Sequence, residues 1–262
     1  MDLGSLLQQI SGGNPLLLAT FGGLFTSILN MLGATPILFL RGGSDSRISD
    51  LGLGFAAGVM LAASFTSLIL PGIERGGILP VLAGIVIGAI LISLMDRLIP
   101  HMHALIGFEG LSTRLKAIWL FILAITIHNM PEGLAVGVGL GSGNLAAGTA
   151  LMIAIALQNI PEGLSVGLSL LATGAYSRLK AYLASSLSGF VELPLAVIGA
   201  LAVTSIHGII PYAMGFAAGA MIFVVSDEII PEVHRLGKEK LVTYSLIAGL
   251  ILMLFLDTAL KA

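Results

Sequence analysis

Long apolar stretches separated by short polar breaks constrain this chain more than any other feature. A helix that crosses a lipid bilayer needs about 20 apolar residues, and eight stretches reach that length. They lie at 15–40, 51–73, 78–99, 116–141, 145–173, 180–203, 209–233 and 240–260. Only 10% of the 262 residues are charged, against roughly a quarter in soluble domains. The sequence therefore predicts an all-α integral membrane protein with eight transmembrane helices in a single domain, 1–262.

The basic residues predict which side of the membrane each loop faces. Lys and Arg are enriched in cytoplasmic loops, and ten of the 12 basic residues fall in the odd-numbered loops of this arrangement. Only Arg75 and Lys261 lie on the other side. We therefore expect both termini to be extracytoplasmic, and the asymmetry supports a count of eight spans.

The rest of the composition narrows the class of protein. The chain has no Cys, which excludes disulfides, thiolate metal sites and cysteine nucleophiles. Its net charge of −2 at pH 7 argues against a nucleic-acid partner. The lipid bilayer is the partner that the composition does predict.

Two segments recur on spans that run in opposite directions through the membrane. HNMPEG at 128–133 recurs as QNIPEG at 158–163, and GFAAGVM at 54–60 recurs as GFAAGAM at 215–221. Inverted repeats whose helices are interrupted by Pro or Gly are typical of secondary transporters. For GFAAG alone, chance recurrence of small residues in packed helices is an alternative explanation.

Side chains that can bind a metal gather on the first repeat. His128 and Glu132 are four residues apart, so they share one face of a helix, with Asn129 beside them. The predicted metal ligands are His128, Asn129, Glu132, Gln158, Asn159, Glu162 and Glu192. At about 1.5 Å per residue, His128, Gln158 and Glu192 lie about 18–21 Å from the nearest polar break, near the middle of the bilayer.

Three of these side chains are carboxylates in stretches of the sequence that contain no basic residue. Neither 117–177 nor 181–234 contains Lys or Arg. Because a charge near the bilayer centre is costly, Glu132, Glu162 and Glu192 must be protonated, hydrated or paired with a bound cation. Imidazole with carboxylate and amide oxygens suits a divalent metal such as zinc. Three carboxylates exceed the charge of one such ion by one, so we expect either two adjacent metals or one retained proton. Polar side chains that merely join helices are the less favoured interpretation.

Pro131 and Pro161 occupy the same place in the two motifs. Proline lacks the backbone N–H and clashes with the carbonyl four residues back, which belongs here to Ile127 or Leu157. We expect a kink at each proline that frees these oxygens beside the ligands. The glycine that ends each motif should let a neighbouring helix come close.

Three weaker groups of residues extend the predicted route of the ion. They are Met60, Ser67 and Glu74 on an outer route, Asp227, Glu228 and Glu232 at an exit, and His101 and His103 in a loop. Each group has a plain alternative, because methionine is usually a packing residue, acidic helix ends are often solvated, and loop histidines are common.

With these residues, the chain resembles the ZIP (Zrt/Irt-like) metal transporters, and most closely their bacterial GufA-like branch. HNMPEG and QNIPEG carry the resemblance, while GFVELP around Glu192 and DEIIPE at the end of the seventh span support it. The match extends over essentially the whole chain. It implies uptake of a divalent metal across the cell membrane into the cytoplasm, usually zinc, with iron, manganese, cobalt or cadmium as further substrates.

The resemblance also implies an arrangement of the site and of the molecule. The seven predicted ligands would form a metal site that is often binuclear, in a chain that commonly forms a homodimer. Rigid-body movement of spans one, four, five and six against the rest is the transport mechanism that it suggests. At Gln158 many members have a second His, so this departure weakens the expectation of strict zinc selectivity.

Three other functions are weighed against a metal transporter. An intramembrane metalloenzyme needs an open metal position and a general base, typically as HExxH, and here Asn129 follows His128 instead. We therefore expect no enzymatic activity. A metal-selective channel is still open, and so is a proton-coupled transporter that uses the same glutamates without metal.

Overall fold

The computed structural model is helical, and the residues that it describes form no strand. It describes residues 3–39, 46–98, 111–172, 174, 176–206, 208–231 and 239–259. Within these ranges, seven stretches are long and apolar enough to cross a membrane. They are Pro15–Leu38, Asp50–Gly76, Ile78–Met95, Leu145–Leu171, Arg178–Ser205, Ile210–Asp227 and Lys240–Ala259. The fourth predicted span falls in a further helix of 31 residues, Leu111–Gly141. The prediction of an all-α membrane protein is confirmed.

The α-helices of the described ranges are numbered here in chain order. They are α1 (Leu3–Ser11), α2 (Pro15–Ala34), α3 (Ser46–Ala63), α4 (Leu70–Gly76), α5 (Ile78–Leu98), α6 (Leu111–Gly141), α7 (Leu145–Ala172), α8 (Arg178–Phe190), α9 (Glu192–Ser205), α10 (Ile210–Val224) and α11 (Glu239–Ala259). The sequence analysis does not predict α1, which is too short to span a bilayer. The second predicted span starts at residue 51, whereas α3 begins at Ser46.

The break between α6 and α7 is short and carries no charge, but a glycine and a helix cap define it as a tight turn. Gly143 has φ = 83°, a backbone conformation that glycine adopts without strain. The side chain of Asn144 accepts a hydrogen bond from the backbone N–H of Ala147 at 3.2 Å, which caps the start of α7. The two motif-bearing helices are therefore antiparallel neighbours joined by a tight turn.

Two π-helical turns follow the repeated GFAAG segments at equivalent positions. One is Ser64–Ile69 after α3, and the other is Val225–Ile229 after α10. Each begins ten residues after the first glycine of its segment and ends two residues before a proline, Pro71 or Pro231. Because proline clashes with the carbonyl four residues back, a wider turn ahead of it relieves that clash. The shared position favours a true repeat over chance recurrence.

The GFAAG segments are also helix-packing surfaces. A Cβ on Gly58 of α3 would overlap the carbonyl oxygen of Leu246 in α11. A Cβ on Gly219 of α10 would likewise overlap the carbonyl oxygen of Ile85 in α5. Glycines four residues apart allow such close approach between membrane helices. Each copy of the repeat therefore brings its helix against a different neighbour.

The sixth predicted span is interrupted at a single residue near its middle, which the sequence analysis does not predict. α8 ends at Phe190 and α9 begins at Glu192, with Val191 between them. Pro194 has no N–H to donate to the carbonyl of Phe190, and its ring clashes with that group. The break places Glu192 in the first turn of α9.

The described helices pack in two sets. The first set comprises α2 with α6–α9, in which α6 packs on α9 and α2 on α7. The second set comprises α3–α5 with α10 and α11, in which α10 packs on α5 and α11 on α3. The sets meet chiefly where α3 packs on α7 and α10 on α6. The first set corresponds to spans one, four, five and six.

Candidate metal centre

Three buried carboxylates come together on helices of the first set. Glu132 in α6, Glu162 in α7 and Glu192 at the start of α9 are 1%, 6% and 0% exposed. The carboxylate of Glu132 interacts electrostatically with those of Glu162 and Glu192, and the latter two interact with each other. Residues that are up to 60 positions apart in the sequence thus form one acidic cluster.

Two side-chain amides of α7 join these carboxylates to neighbouring helices. Gln158 Nε2 donates a hydrogen bond to Glu132 Oε1 at 2.5 Å. Asn159 Nδ2 lies 2.7 and 2.9 Å from the two carboxylate oxygens of Glu192. The same nitrogen donates to the backbone carbonyl oxygen of Thr26 in α2 at 3.2 Å. Adjacent residues of α7 therefore reach α6 on one side and α9 with α2 on the other.

Three oxygens of this arrangement have no hydrogen-bond partner in the described part of the chain. They are Glu132 Oε2, Gln158 Oε1 and Asn159 Oδ1. Buried polar atoms in proteins are nearly always paired with protein groups or ordered water, so these three oxygens are acceptors that a water or a cation could use. Carboxylate and amide oxygens are suitable ligands for divalent metals.

The two remaining predicted ligands lie in α6. His128 is half-buried and interacts electrostatically with Glu162 of α7, and Asn129 is fully buried. We call the seven predicted ligands together the central cluster. Among the residues that the structure describes, no three His, Asp or Glu side chains converge closely enough to hold an ion alone. A metal in the central cluster would therefore need the amide oxygens as well.

Both glycines of the repeated motifs are sites of close helix packing, as the sequence predicts. A Cβ on Gly133 would lie 2.6 Å from the Cα and from the carbonyl oxygen of Glu192. A Cβ on Gly163 would overlap the backbone carbonyl oxygen of Asn30 in α2. Pro131 and Pro161 lie inside α6 and α7, which continue as helices on both sides of them, so the kink expected at each proline stays a prediction.

A family model for the ZIP zinc transporters matches residues 108–257, more than half of the chain. The chain belongs to the ZIP zinc transporter family. Zinc transporter ZIPB of Bordetella bronchiseptica is 45% identical over 260 residues, covering 92% of this chain and 81% of ZIPB. Zinc transporter ZIP11 of Bos taurus is 38% identical over 341 aligned positions, covering 96% of this chain and 100% of ZIP11. Zinc transporter GufA of Myxococcus xanthus is 38% identical over 252 residues, covering 91% of this chain and 98% of GufA.

The residues predicted along the route of this ZIP protein differ in their surroundings. Met60 is 1% exposed and packs within the main apolar core, so the structure favours a packing role. Ser67 is buried, and its Oγ donates to Asp257 Oδ1 at 3.1 Å. Glu74 and Asp227 are exposed. The predicted residues His101, His103 and Glu232, with the side chain of Glu228, lie outside the described part of the chain.

Three polar groups near the two motifs or the outer route escape the sequence analysis. Asp257 is the one acidic residue in 241–260, and an isolated charge in an apolar span is a usable signal. Asn30 is likewise a polar amide within an apolar span. Thr26 contributes its backbone carbonyl, which no pattern of side chains can reveal.

Proposed function

We propose that this ZIP protein transports zinc and similar divalent metals across the cell membrane into the cytoplasm through the central cluster. It is a transporter and not an enzyme. The observation that carries the proposal is the burial of Glu132, Glu162 and Glu192 together, in stretches of the sequence that contain no Lys or Arg. The names of the relatives ZIPB, ZIP11 and GufA support zinc as the substrate.

The amides of Gln158 and Asn159 can change from hydrogen-bond donors to the carboxylates into ligands of a metal ion. In the described arrangement their NH₂ groups donate to Glu132 and Glu192. Rotation of the terminal amide group presents its oxygen in place of its nitrogen, and the oxygen is the atom that binds a metal. The cation then replaces the amide N–H as the partner of the carboxylate.

The charge of the cluster supports either of two states of occupancy. Glu132, Glu162 and Glu192 carry three negative charges when ionised, so one divalent ion leaves one charge for a retained proton. Two adjacent ions need no proton, and the three carboxylates all interact with one another, so that a carboxylate could be shared between the ions. Metal ligands must be deprotonated to bind, so the two states differ in the protons released per ion.

The arrangement in the membrane follows from the same features. The seven apolar stretches and the 31-residue α6 support eight spans in one domain, and the basic residues support termini outside the cytoplasm. The division of the described helices into two sets supports rigid-body movement of the first set against the second. A homodimer is proposed from the family resemblance alone.

Zinc-65 uptake into proteoliposomes tests the proposed function. The intact protein is compared with His128→Ala and Glu132→Ala, which each remove one ligand. Thr204→Val in α9 is the control, because Thr204 Oγ1 donates within its own helix, to Ala200 O at 2.8 Å and Leu201 O at 3.2 Å. We expect saturable uptake that falls by at least about tenfold in both ligand variants and is unchanged in the control.

Two other results would change the proposal. Equal uptake in all four folded proteins would rule out the central cluster as the transport site, and proton flux through the same glutamates would be tested next. Uptake that does not saturate and follows the membrane voltage would identify a channel instead of a carrier.

A further inference from the structure

Asn30 lies within α2 and buries a side chain that has no hydrogen-bond partner in the described ranges. The residue is 1% exposed, and neither Oδ1 nor Nδ2 is paired. Burying an unpaired amide destabilises a fold, and an apolar side chain of the same shape would avoid that penalty. The presence of an amide at this position therefore needs a reason other than stability.

Two glycines make room for this side chain. A Cβ on Gly189 of α8 would lie 2.5 Å from Cγ and 2.7 Å from Oδ1 of Asn30. A Cβ on Gly163 of α7 would lie 3.1 Å from the same Oδ1. The side chain is thus wedged between α7 and α8, and its size helps to set how far apart these helices lie.

Both glycines stand close in sequence to carboxylates of the central cluster. Gly163 directly follows Glu162, and Gly189 precedes Glu192 by three residues at the junction of α8 and α9. Asn30 therefore packs against the backbone of two segments that each carry a proposed ligand.

The surroundings of the amide contain further polar groups. Ser27 Oγ donates to the carbonyl oxygen of Gly189 at 3.1 Å, and Ser185 Oγ donates to that of Gly163 at 2.8 Å. The carbonyl of Phe190 cannot receive the usual helical bond, because residue 194 is proline. A buried water needs two to four polar partners, and the amide of Asn30 supplies both a donor and an acceptor toward that number.

We propose that Asn30 is a positioning residue for the metal-binding carboxylates. Its side chain, with a water held by its amide, sets the separation between the α7 segment that carries Glu162 and the junction that carries Glu192. The proposal rests on the function proposed above. It explains why an amide without a partner among the described side chains is buried at this position, since the spacing of the ligands determines how tightly they bind a metal.

The test separates stability from metal binding. Asn30→Leu keeps the branch at Cγ and removes the hydrogen-bonding atoms, whereas Asn30→Ser keeps a polar atom that can hold a water. Thr20→Val in the same helix is the matched control, because Thr20 Oγ1 bonds to Leu16 O at 2.7 Å within α2. For each variant, the KM and Vmax of zinc-65 uptake, the zinc dissociation constant of the purified protein and the zinc-free Tm are measured.

We expect Asn30→Leu to have a Tm equal to or above that of the intact protein. Its KM and its zinc dissociation constant should both rise by about tenfold, as for loss of groups that support metal ligands. Asn30→Ser should recover part of the affinity, and Thr20→Val should retain all of it.

Two outcomes would overturn the role of Asn30. One is unchanged affinity in Asn30→Leu, and the other is a Tm that falls in step with affinity in both Asn30 variants, which would mark a purely structural residue. If the intact protein binds zinc but does not transport it, the proposed function fails while the dissociation constants still decide the role of Asn30. An intact protein that neither binds nor transports zinc would overturn both proposals.

Discussion

Gly133 and Glu192 show how close backbone packing positions a carboxylate of the candidate metal centre. Gly133 ends the motif that carries His128 and Glu132, and the backbone of Glu192 lies where its Cβ would be. The contact brings the junction of α8 and α9 against α6, so that the carboxylate of Glu192 can join that of Glu132. The site therefore requires a glycine at position 133 as much as it requires a carboxylate at position 192.

Gly133→Ala is expected to reduce both stability and transport. The new Cβ would meet backbone atoms of Glu192 at 2.6 Å, and backbone cannot move aside as a side chain can. We expect a loss of about 1–3 kcal/mol from overpacking and a clear drop in zinc uptake, measured by thermal unfolding and by proteoliposome flux.

Gly139→Ala in the same helix is the control for this prediction. Its Cβ would lie 3.1 Å from the side-chain atom Leu151 Cδ2, which can adjust. Equal losses in the two variants would show that α6 tolerates no added methyl group anywhere, and would remove the special role of the contact with Glu192.

Asn159→Asp is expected to make stability depend on metal. Asn159 Nδ2 donates to both oxygens of Glu192 and to the carbonyl of Thr26, and a carboxylate would face these acceptors with a like charge. The zinc-free Tm should fall, and added zinc should raise the Tm by more than it does in the intact protein.

The same substitution at the start of α7 supplies the control. Asn144→Asp changes a helix cap in which Asp and Asn serve equally well, so its Tm should be unchanged with or without zinc. A zinc response in Asn159→Asp no larger than that of the intact protein would argue against metal binding at this residue.

The sequence predicts the members of the central cluster better than their contacts. The four-residue spacing places His128 and Glu132 on one helix face, and the lack of Lys or Arg nearby points to a cation. The bond from Asn159 to the carbonyl of Thr26 was not predictable, because backbone acceptors carry no sequence signal. The unpaired amide of Asn30 needs the packing of three helices to be recognised.

The helices of this protein are distinguished by interruptions and π-helical turns within the apolar stretches, and less by where they begin and end. The bounds of the apolar stretches follow from hydropathy, and the helices begin and end close to them. The interruptions are harder to predict, because Pro131 and Pro161 lie within continuous helices while Pro194 accompanies a break. Proline removes a bond wherever it occurs, but the packing of neighbours decides whether the helix continues.

Pro194→Ala is expected to stabilise the protein and to impair transport. Alanine restores the N–H that the carbonyl of Phe190 lacks, so α8 and α9 can join, with a gain of up to about 3 kcal/mol. Glu192 would then move from its place in the first turn of α9, and uptake of zinc should fall while the Tm rises.

Pro80→Ala provides the comparison. Pro80 lies in the first turn of α5, where a backbone N–H has no helical partner, so both Tm and uptake should stay near those of the intact protein. Normal uptake by Pro194→Ala would show that the break in the sixth span is dispensable.

At the scale of the whole molecule, one contact joins the two helix sets at the turn between α6 and α7. Arg75 Nη1, at the end of α4, donates to the carbonyl oxygen of Ser142 at 2.5 Å. A cation near the C-terminus of a helix is favoured by the helix dipole, here that of α6. Arg75 is also one of only two basic residues on the predicted outer side. Its hydrogen bond to Ser142 explains why a basic residue occurs on a side where such residues are rare.

Arg75→Ala is expected to let the two helix sets separate more easily near the turn between α6 and α7. The chain has no cysteine, so Ser64→Cys introduces a single reporter at a buried position in the π turn after α3. The rate at which a membrane-impermeant maleimide labels this cysteine should rise several-fold when Arg75 is removed. Arg178→Ala, at the start of α8, should leave the rate unchanged, and equal rates in all variants would exclude Arg75 as a contact that restrains movement.

The partners of the central cluster also fix the order in which it can be assembled during synthesis. Chains fold from the N-terminus as they are made, and Glu132 and Gln158 lie on consecutive helices joined by a tight turn, so their bond is available once α7 has been inserted. Glu192 arrives only with α9, and until then Asn159 has the carbonyl of Thr26 in α2 as a partner. A nascent chain that stops short of α9 therefore contains only one of the two amide–carboxylate pairs, so the proposed metal site is complete only when α9 has been made.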